Sequence, residues 1–399
     1  MLKADLNTSV KILTDLFRNI WNKNVIPEDW AKGLIAKVPK KGNLQNCNNW
    51  RGITLLSIPS KVFCRILLGR IDSAIDTKLR QEQAGFRKGR GCIDQIFTIR
   101  NIIEQCLEWN SPLYINFIDF RKAFDSLHRD TLWKIVQSYG VPPKMTALIK
   151  MFYHQFQCSV IVNGSLTEWF PVESGVRQGC IISPILFLIA IDWTMRKSIS
   201  DKPRGIQWTL FNQLEDLDYA DDLAVLSTNH THLQEKTHRT DRFAKQLGLN
   251  INTSKTQVMC INSTPHAPIT IDGNSLAYVE EFTYLGSLLS KDNAWSRDFA
   301  IRLGKARNTF ACLQTIWKYK QYSLKTKIQL YNSNVKSVLL YGSECWRVIE
   351  SDMNKINSFH NGCLRKICRI FWPEKISNKD LYRKTNCRNV VLEIKHRRL

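Results

Sequence analysis

The chain has 399 residues, of which 44% are hydrophobic, and its formal net charge at pH 7 is +22. This composition is ample for a folded core with more than one subdomain, and no apolar run is long enough to span a bilayer. Residues 291–399 hold 23 Lys and Arg against 8 Asp and Glu, a net charge of +15, which predicts nucleic acid as the partner, with an anionic membrane surface as the weaker alternative.

The chain opens with helices separated by basic segments. Residues 1–30 predict one amphipathic helix that Pro27 ends, and residues 61–75 and 94–109 predict two more.

Two short strands between these helices carry cations. One runs into a basic turn at 37–41, which includes Lys40, and the other begins at Trp50-Arg51. Together they predict a basic hairpin that grips phosphates, with a solvated basic loop as the alternative. The loop 83–91 combines three glycines with three cations, so its backbone could approach a phosphate chain closely.

Residues 113–120 are a nearly continuous apolar run, which predicts a strand buried on both faces. Its carboxylate, Asp119, could be an ordinary helix cap or turn residue. An acceptor with nothing to bind is costly at the end of a buried strand, so Asp119 is a candidate metal ligand. Asp130 is then predicted to cap a helix over 132–139, and a helix over 144–156 follows.

The middle of the chain predicts a hairpin, a loop and a buried helix. Asn163-Gly164 indicates a hairpin over 158–170. The loop 175–180 offers backbone and amide donors to a flat ligand, with a plain loop as the alternative. Ser183-Pro184 then provides the N-cap and first position of a long apolar helix.

Two adjacent carboxylates, Asp221 and Asp222, interrupt the apolar run 217–226. Strand alternation places Asp221 on the face that contains Leu217 and Asp222 on the opposite face. Because unpaired charges are costly to bury, the run predicts a tight hairpin whose tip holds a divalent cation. An exposed Asp-Asp turn is the alternative.

The last third of the chain becomes helical and basic. A helix over 231–247 and a turn and strand over 249–259, which carries Lys255, precede a short hairpin over 282–288. A domain boundary is predicted near Ser290. Beyond it, helices with basic outer faces are predicted over 302–317, 324–340 (capped by Ser323) and 352–371.

Twelve cysteines are scattered from Cys47 to Cys387, and no pair reads Cys-x-x-Cys. Without a signal peptide, this pattern predicts a reducing intracellular compartment, the nucleus or the cytoplasm. The spacing His360-x-x-Cys363-x4-Cys368 lies in a helical pattern, so a zinc site there is the lesser alternative.

Taken in order, these motifs resemble the polymerase domain of reverse transcriptases, and most closely those of non-LTR (LINE-like) retrotransposons. The resemblance runs from about Trp30 to the C-terminus. It rests on Phe117-Ile-Asp119-Phe-Arg-Lys-Ala-Phe124-Asp125, Gly175-Val-Arg-Gln178-Gly179-Cys-x-x-Ser183-Pro184 and Tyr219-Ala-Asp221-Asp222, with support from Asn49-Trp-Arg51-Gly-Ile-Thr-Leu-Leu-Ser57, Gln83-Ala-Gly-Phe-Arg87, Leu249-Asn250-x4-Lys255-Thr256 and Tyr284-Leu-Gly286.

The resemblance implies an α+β fold with the right-hand polymerase architecture. Fingers would comprise residues 1–110 and part of 126–174, and a palm with an antiparallel sheet would lie in 111–290. A basic helical thumb over 291–399 would clamp the phosphates of a template–primer duplex.

The implied reaction is RNA-directed DNA polymerisation, in which a primer 3′-hydroxyl is extended with deoxynucleotides. Two Mg²⁺ ions (Mn²⁺ being possible) would act with oxygen ligands. Asp119 and Asp221 would bridge them, and Asp222 would lie further out. The expected partners are an RNA template, a primer strand and deoxynucleoside triphosphates, with no membrane.

The resemblance also implies roles around the nucleotide. Lys40 and Arg51 would hold the triphosphate, and Gln178 and Gly179 would lie near the nascent base pair. The Phe124 ring would exclude a 2′-hydroxyl, although it could instead be a core aromatic. Lys255 would be the acid that protonates the leaving pyrophosphate, although it could instead be a solvated lysine.

Three further expectations follow. A Gly-Pro-Asp-Gly-like fingers segment, an endonuclease, an RNase H domain and a Cys-His knuckle are missing, so a fragment that lacks the endonuclease and part of the fingers is expected. A truncated nucleic-acid-binding relic without turnover is the alternative function. A DNA-templated polymerase or a metal nuclease is a third hypothesis, and the Gln178-Gly179 loop with Phe124 argues against a nuclease.

Overall fold

The structure, a computed structural model, describes residues 3–40, 42–199, 203–264, 267–347 and 349–398. The chain divides into two compact units, and both combine helices with β-strands, which agrees with the predicted α+β class. The first unit comprises Met1–Gly91 and Pro112–Tyr278, and the second comprises Cys92–Ser111 and Val279–Leu399.

A five-stranded sheet forms the centre of the first unit. In spatial order its strands are Ala277–Tyr278, Gln257–Ile261, Leu113–Ile118, Asp222–Ser227 and Asp216–Tyr219. Neighbouring strands are antiparallel except for the first two. Every residue of Leu113–Ile118 is buried, as its continuous apolar sequence predicts for a strand with neighbours on both sides.

A second sheet in this unit carries the basic hairpin. Strands Lys32–Pro39 and Trp50–Leu55 pair antiparallel, with Val38 opposite Arg51. Gln157–Val162 pairs in parallel with the first of them and antiparallel with Ser165–Leu166 and Phe170–Pro171. Two small hairpins complete the strands of the unit, namely Ile206–Gln207 with Gln213–Leu214 and Thr270–Ile271 with Asn274–Ser275.

Helices of the first unit surround these sheets, and their apolar faces share one core with the central sheet. The most buried is Ser183–Ile199, which is apolar on almost all sides and therefore suits the interior. The α-helices are Leu6–Lys23, Ile58–Asp76, Ala123–Ser126, Arg129–Ser138, Pro143–Met151, Ser183–Ile199 and His230–Gln246, with short 3₁₀ turns at Glu28–Ala31 and Cys47–Asn49.

The second unit has a separate core, which contains Tyr331, Ile356 and Leu364. Its hairpin pairs Glu281–Tyr284 with Ser287–Ser290. Its helices are Cys92–Glu108, Trp295–Cys312, Gln314–Lys318, Leu324–Leu330, which continues through the π-helical Tyr331–Lys336 into Ser337–Leu339, the 3₁₀ turn Ser343–Cys345, and Glu350–Cys368, Asn378–Thr385 and Val390–Arg397.

Several predicted boundaries need correction. The helix predicted over 132–139 begins at Arg129 with His128 at its N-cap, so Asp130 lies in the first turn, where its charge favours the helix dipole. Ser183 is the first helical residue rather than the cap. The helix predicted over 144–156 ends at Met151. Ser323 is confirmed as a cap, since its hydroxyl accepts from the Thr326 amide.

The two units do not follow the predicted residue bounds of fingers, palm and thumb. Helix Cys92–Glu108 belongs with the C-terminal helices, because the buried Arg100 guanidinium pairs with Asp298 at 2.9 Å and also donates to Ser287. The naming of fingers, palm and thumb therefore stays a prediction. None of the helices within the described ranges is long and apolar enough to cross a membrane.

Candidate active site

The ends of two neighbouring strands bring the predicted carboxylates together. Leu223 pairs with Ile118, so Asp222 and Asp119, the next residues, lie across from each other. Asp221 occupies the turn that joins Tyr219 to its partner Asp222. The predicted alternation of faces fails at this turn, because Ala220 adopts the left-handed conformation with a φ of 57°.

The three carboxylates repel one another. Burial raises the pKa of Asp221, the charge of Asp119 raises it further, and Arg51 opposes the shift. Asp222 is at the surface, yet incomplete hydration of its carboxylate and the charges of Asp221 and Asp119 raise its pKa to about 6. A positive charge near the turn would therefore be attracted by this cluster.

A loop from the neighbouring strand secures Asp119. The Asn252 amide donates to the Asp119 carbonyl at 2.7 Å, and the Asn252 side chain donates to Asp119 Oδ2 at 3.2 Å. Lys255 Nζ lies 3.8 Å from the same oxygen, with most of its side chain exposed. The structure thus brings Lys255 to the carboxylate cluster, while Asn252 was not singled out from the sequence.

Gln83 holds the turn that contains Ala220 and Asp221, a role that the sequence analysis missed. Its buried side-chain oxygen accepts from the amides of Gly85 and Ala220, both at 2.8 Å. A Cβ at Gly85 would lie 2.3 Å from the Ala220 nitrogen, so only glycine fits there. The Gln-x-Gly spacing in the sequence was a signal for this contact, but the partner, Ala220, lies far away along the chain.

The expected approach of loop 83–91 to phosphates stays a prediction, but the buried cation Arg87 has internal partners. Arg87 is buried, and its Nε pairs with Asp76 at 2.6 Å. Its Nη1 donates to the carbonyls of Arg80 and Gln83. These contacts close the loop on itself and on the preceding helix, so Arg87 is a structural residue.

A buried charge network lies under the hairpin. Arg80 is almost fully buried and forms ion pairs with Asp192, Asp216 and Asp218. Burial disfavours the charged guanidinium, but the three carboxylates outweigh this and raise its pKa. Burial and the adjacent Asp216 raise the pKa of Asp218. Asp216 and Asp218 lie two positions apart in an apolar strand, and this spacing was an overlooked signal that a buried cation pairs with them.

The basic hairpin carries the predicted phosphate-binding residues. Arg51 is exposed on strand Trp50–Leu55 and is close enough to Asp221 to lower the pKa of that carboxyl. Lys40 is exposed at the turn, where its ammonium donates to the Asn48 carbonyl at 3.3 Å. Burial raises the pKa of Asp125, and the charges of Lys122 and Lys40 oppose this shift. Lys41 lies outside the described residues.

The loop with Gln178 and Gly179 docks onto the same strand. The Thr54 amide donates to the Gln178 carbonyl at 2.7 Å. Gly179 has a φ of 122°, and a Cβ there would lie 2.4 Å from the Thr54 oxygen. The loop is therefore fixed next to the strand that carries Arg51, and its glycine is required by the close approach.

Phe124 connects this loop to the core. Its ring is half-buried and stacks on Phe187, with 4.3 Å between ring centroids, and its carbonyl accepts from the Val176 amide. A cavity of about 420 Å³ opens beside Gly52, Asp125 and Gln178. The contact with Phe187 fits both the predicted sugar-facing role and the alternative of a core aromatic.

The aspartates do not form a complete set of metal ligands by themselves. Across the described ranges, no three His, Cys, Asp or Glu side chains are grouped so that they could hold a metal ion. The aspartates are therefore a charged cluster and not a closed cage. The lesser zinc alternative gains no support, since His360 is buried against the Tyr331 hydroxyl at 2.8 Å.

Comparison with known proteins gives a family match over most of the first unit. Residues 38–289 match the model of reverse transcriptase (RNA-dependent DNA polymerase), and residues 309–341 match a domain of unknown function, DUF6451. The solved structure of apo telomerase from Candida tropicalis aligns over 90% of this chain and 68% of that chain, with a TM-score of 0.49 and 14% sequence identity.

Two curated relatives come from mobile elements of Drosophila melanogaster. The RNA-directed DNA polymerase from mobile element jockey is 25% identical over 394 residues, which cover 92% of this chain and 42% of the relative. The probable RNA-directed DNA polymerase from transposon X-element is 26% identical over 414 residues, which cover 98% and 43% respectively. The chain thus spans less than half the length of these relatives.

Proposed function

Because the chain belongs to the reverse transcriptase (RNA-dependent DNA polymerase) family, as its motifs predict, we propose that it extends a primer 3′-hydroxyl with deoxynucleotides on an RNA template. One observation carries this proposal. Asp119 directly follows strand Leu113–Ile118 and lies across from Asp222 on the neighbouring strand, Asp221 lies on the turn beside them, and the charge of Arg51 acts on Asp221.

Reverse transcriptases generally use divalent metal ions, and the aspartates suit such ions chemically. Their carboxylates are the hard oxygen donors that Mg²⁺ prefers, and their mutual repulsion would be relieved by a cation. We assign Asp119, Asp221 and Asp222 to two Mg²⁺ ions, with Mn²⁺ as a substitute. When bound, such ions promote deprotonation of the 3′-hydroxyl and neutralise the leaving pyrophosphate.

The other side chains bind and orient the substrate in this proposal. Arg51 and Lys40, both exposed on the basic hairpin, pair with the triphosphate. The loop of Gln178 and Gly179 lies beside the nascent base pair, and the Phe124 ring excludes a 2′-hydroxyl. Lys255, held near Asp119, donates a proton to the leaving pyrophosphate.

The proposed partners follow from charge and chemistry. The basic second unit supports binding of an RNA template and primer strand, since phosphate contacts dominate such affinities. Deoxynucleoside triphosphates are the proposed substrates. The scattered cysteines support an intracellular location, in the nucleus or the cytoplasm.

One observation favours the second candidate, a nucleic-acid-binding protein without turnover. Within the described residues, no three His, Cys, Asp or Glu side chains are grouped so that they could hold a metal ion by themselves. The assigned ions would therefore also need oxygen atoms of nucleotide or water, and a chain that failed to gather them would not turn over. Such a relic would retain the basic surface and lose synthesis.

Primer extension separates the two candidates. The assay supplies a primed RNA template, deoxynucleotides and Mg²⁺, and compares the chain with an Asp221→Asn/Asp222→Asn variant. We expect synthesis that the variant reduces by at least about a thousandfold, because both oxygen ligands lose their charge. Template binding without synthesis by the unmodified chain would leave the relic as the function.

A further inference from the structure

Two surface segments of the second unit expose aromatic rings. Tyr319 and Tyr322 follow helix Gln314–Lys318 and are 50% and 47% exposed. Phe371 and Trp372 follow helix Glu350–Cys368 and are 61% and 80% exposed. Large apolar rings on a protein surface cost hydration free energy, so four of them on two segments indicate a binding surface.

The two segments are joined and anchored. The Arg369 guanidinium donates to the Lys318 carbonyl, which ties one segment to the other. Buried residues flank the exposed rings, Trp317 before the first pair and Ile370 before the second. The Trp317 indole donates to the Phe310 carbonyl at 2.9 Å, which fixes that anchor further. The segments that carry the exposed rings are thus fixed by buried neighbours and by a hydrogen bond between them.

Cations alternate with these rings. Lys320, Arg369 and Lys375 are exposed within the same segments, where Glu374 is the single acid. The Lys375 ammonium lies 4.9 Å from the Trp372 ring centroid, and the Tyr319 and Tyr322 rings are 5.3 Å apart at a 50° tilt. We name the four rings with these three cations the aromatic–basic surface.

This combination selects the class of partner. A polyanion is favoured by the cations, and flat apolar faces are favoured by the rings. A duplex presents phosphates but hides the faces of its bases inside the helix. An acidic protein presents negative charge but no flat bases that could stack on the exposed rings. Single-stranded nucleic acid offers both, because unpaired bases stack on aromatic side chains while the backbone contacts Lys and Arg.

We propose that the aromatic–basic surface binds single-stranded nucleic acid by stacking unpaired bases on Trp372 and the Tyr319–Tyr322 pair. This goes beyond extension of a primer and does not depend on it. It gives the second unit a contact to unpaired strand in addition to any phosphate contacts with a duplex.

Fluorescence anisotropy of the 399-residue chain tests this with labelled oligo(U), labelled oligo(dT) and a blunt RNA–DNA hybrid. A Tyr319→Ala/Trp372→Ala variant should bind the single strands at least about fivefold more weakly, which corresponds to ~1 kcal/mol of stacking. Affinity for the hybrid should change by less than about twofold. The single strand that loses more affinity is the one that depends more on these rings.

Trp109→Ala is the matched control, because Trp109 is 72% exposed in the same unit but outside this surface. It should leave all affinities unchanged, and Trp372→Phe should retain most of the binding. Thermal melting checks folding, and since the two changes lie on separate segments, either single variant suffices if the other unfolds.

Unchanged single-strand affinity, or equal losses for single strands and hybrid, would overturn the proposal. Analytical sedimentation tests whether a second copy of this chain, and not nucleic acid, occupies the surface. If Trp372→Ala abolished self-association and left oligonucleotide binding intact, the surface would be an interface between copies. The assay needs neither nucleotide nor metal, so failed primer extension would count only against the polymerase proposal.

Discussion

The three aspartates of the candidate site differ in how their charges are compensated. Asp119 accepts a hydrogen bond from Asn252 and lies close to the ammonium of Lys255. The charge of Arg51 opposes the rise in the pKa of Asp221 that burial and Asp119 cause. Incomplete hydration of its carboxylate and the charges of the other two acids raise the pKa of Asp222 to about 6. The strongest attraction for a cation therefore lies on the side of Asp221 and Asp222.

Phe124 gives a prediction about sugar selection. In Phe124→Val the smaller side chain leaves room for a 2′-hydroxyl, so ribonucleotide incorporation relative to deoxynucleotide should rise about tenfold or more. Phe124→Tyr retains the ring and should retain the discrimination. Competitive incorporation assays measure both ratios. An unchanged ratio in Phe124→Val would leave Phe124 as a core aromatic stacked on Phe187.

His360 gives a prediction about pH and stability. It is fully buried, and burial with the charge of Lys336 lowers its pKa to about 4. The unfolded state binds a proton near pH 6.5 whereas the folded state does so only near pH 4. The free energy of unfolding should therefore fall as pH drops from about 6.5 to 4, by up to ~3 kcal/mol.

Hydrogen exchange of helix Glu350–Cys368 across this pH range measures the effect. In His360→Gln the side chain at this position no longer titrates in this window, so the same pH change should destabilise the helix less. If both proteins lost the same stability between pH 6.5 and 4, the buried neutral histidine would not be the cause.

The central hairpin depends on elements that lie outside it. The segment around Gln83 braces its turn, and Arg80 neutralises Asp216 and Asp218 in its first strand. Removing one partner from such a buried pair leaves an uncompensated charge, which is costly. The positions of Asp221 and Asp222 are thus set by residues that perform no chemistry themselves.

Gly85→Ala tests the brace. The added methyl group would overlap the Ala220 backbone, so we expect a loss of about 1–3 kcal/mol in the free energy of unfolding, with a larger fractional loss of primer extension. Denaturant titration and primer extension measure the two effects.

Gly69→Ala is the control from the same unit, because its Cβ would meet open space within helix Ile58–Asp76. It should stabilise the protein by up to about 1 kcal/mol and leave synthesis unchanged. Equal behaviour of the two variants would show that the close approach at Gly85 has no consequence for the turn.

Charge is unevenly distributed over the whole molecule. Residues 291–399 carry a net charge of +15, whereas the residues before them carry the small remainder of the total of +22. Each phosphate that a cation neutralises releases counterions, so a basic unit makes affinity for nucleic acid fall with salt. The salt slope is therefore a property that can be assigned to one unit.

The slope should depend on cations of the second unit. Replacing Lys379, Lys384 and Arg388 by Ala should reduce the slope of log affinity against log salt concentration by up to about 3, at ~0.9 for each phosphate that is no longer neutralised. A primed template titrated at several salt concentrations gives this slope.

The matched control replaces three exposed lysines of the first unit, Lys3, Lys11 and Lys23, and should leave the slope unchanged. A slope that fell equally in both variants would indicate a response to total charge, with no clamp in the second unit.

Local patterns in the sequence predict the order of the motifs, the buried strand that ends before Asp119, the carboxylate hairpin, the basic hairpin and the helical C-terminal region. These features follow from local signals, because hydrophobic periodicity and turn residues act over a few positions. The family match over residues 38–289 confirms the resemblance that the motifs indicated.

Contacts between residues that are distant along the chain emerge only when the chain is folded. In the folded chain Gln83 holds the carboxylate turn, Arg87 closes its own loop, and Arg80 reaches Asp216 and Asp218. The contacts of Gln83 and Arg80 with the hairpin join residues more than a hundred positions apart. A single sequence does not encode them in any local pattern, because they arise when strands from different parts of the chain pair and bury their polar groups together.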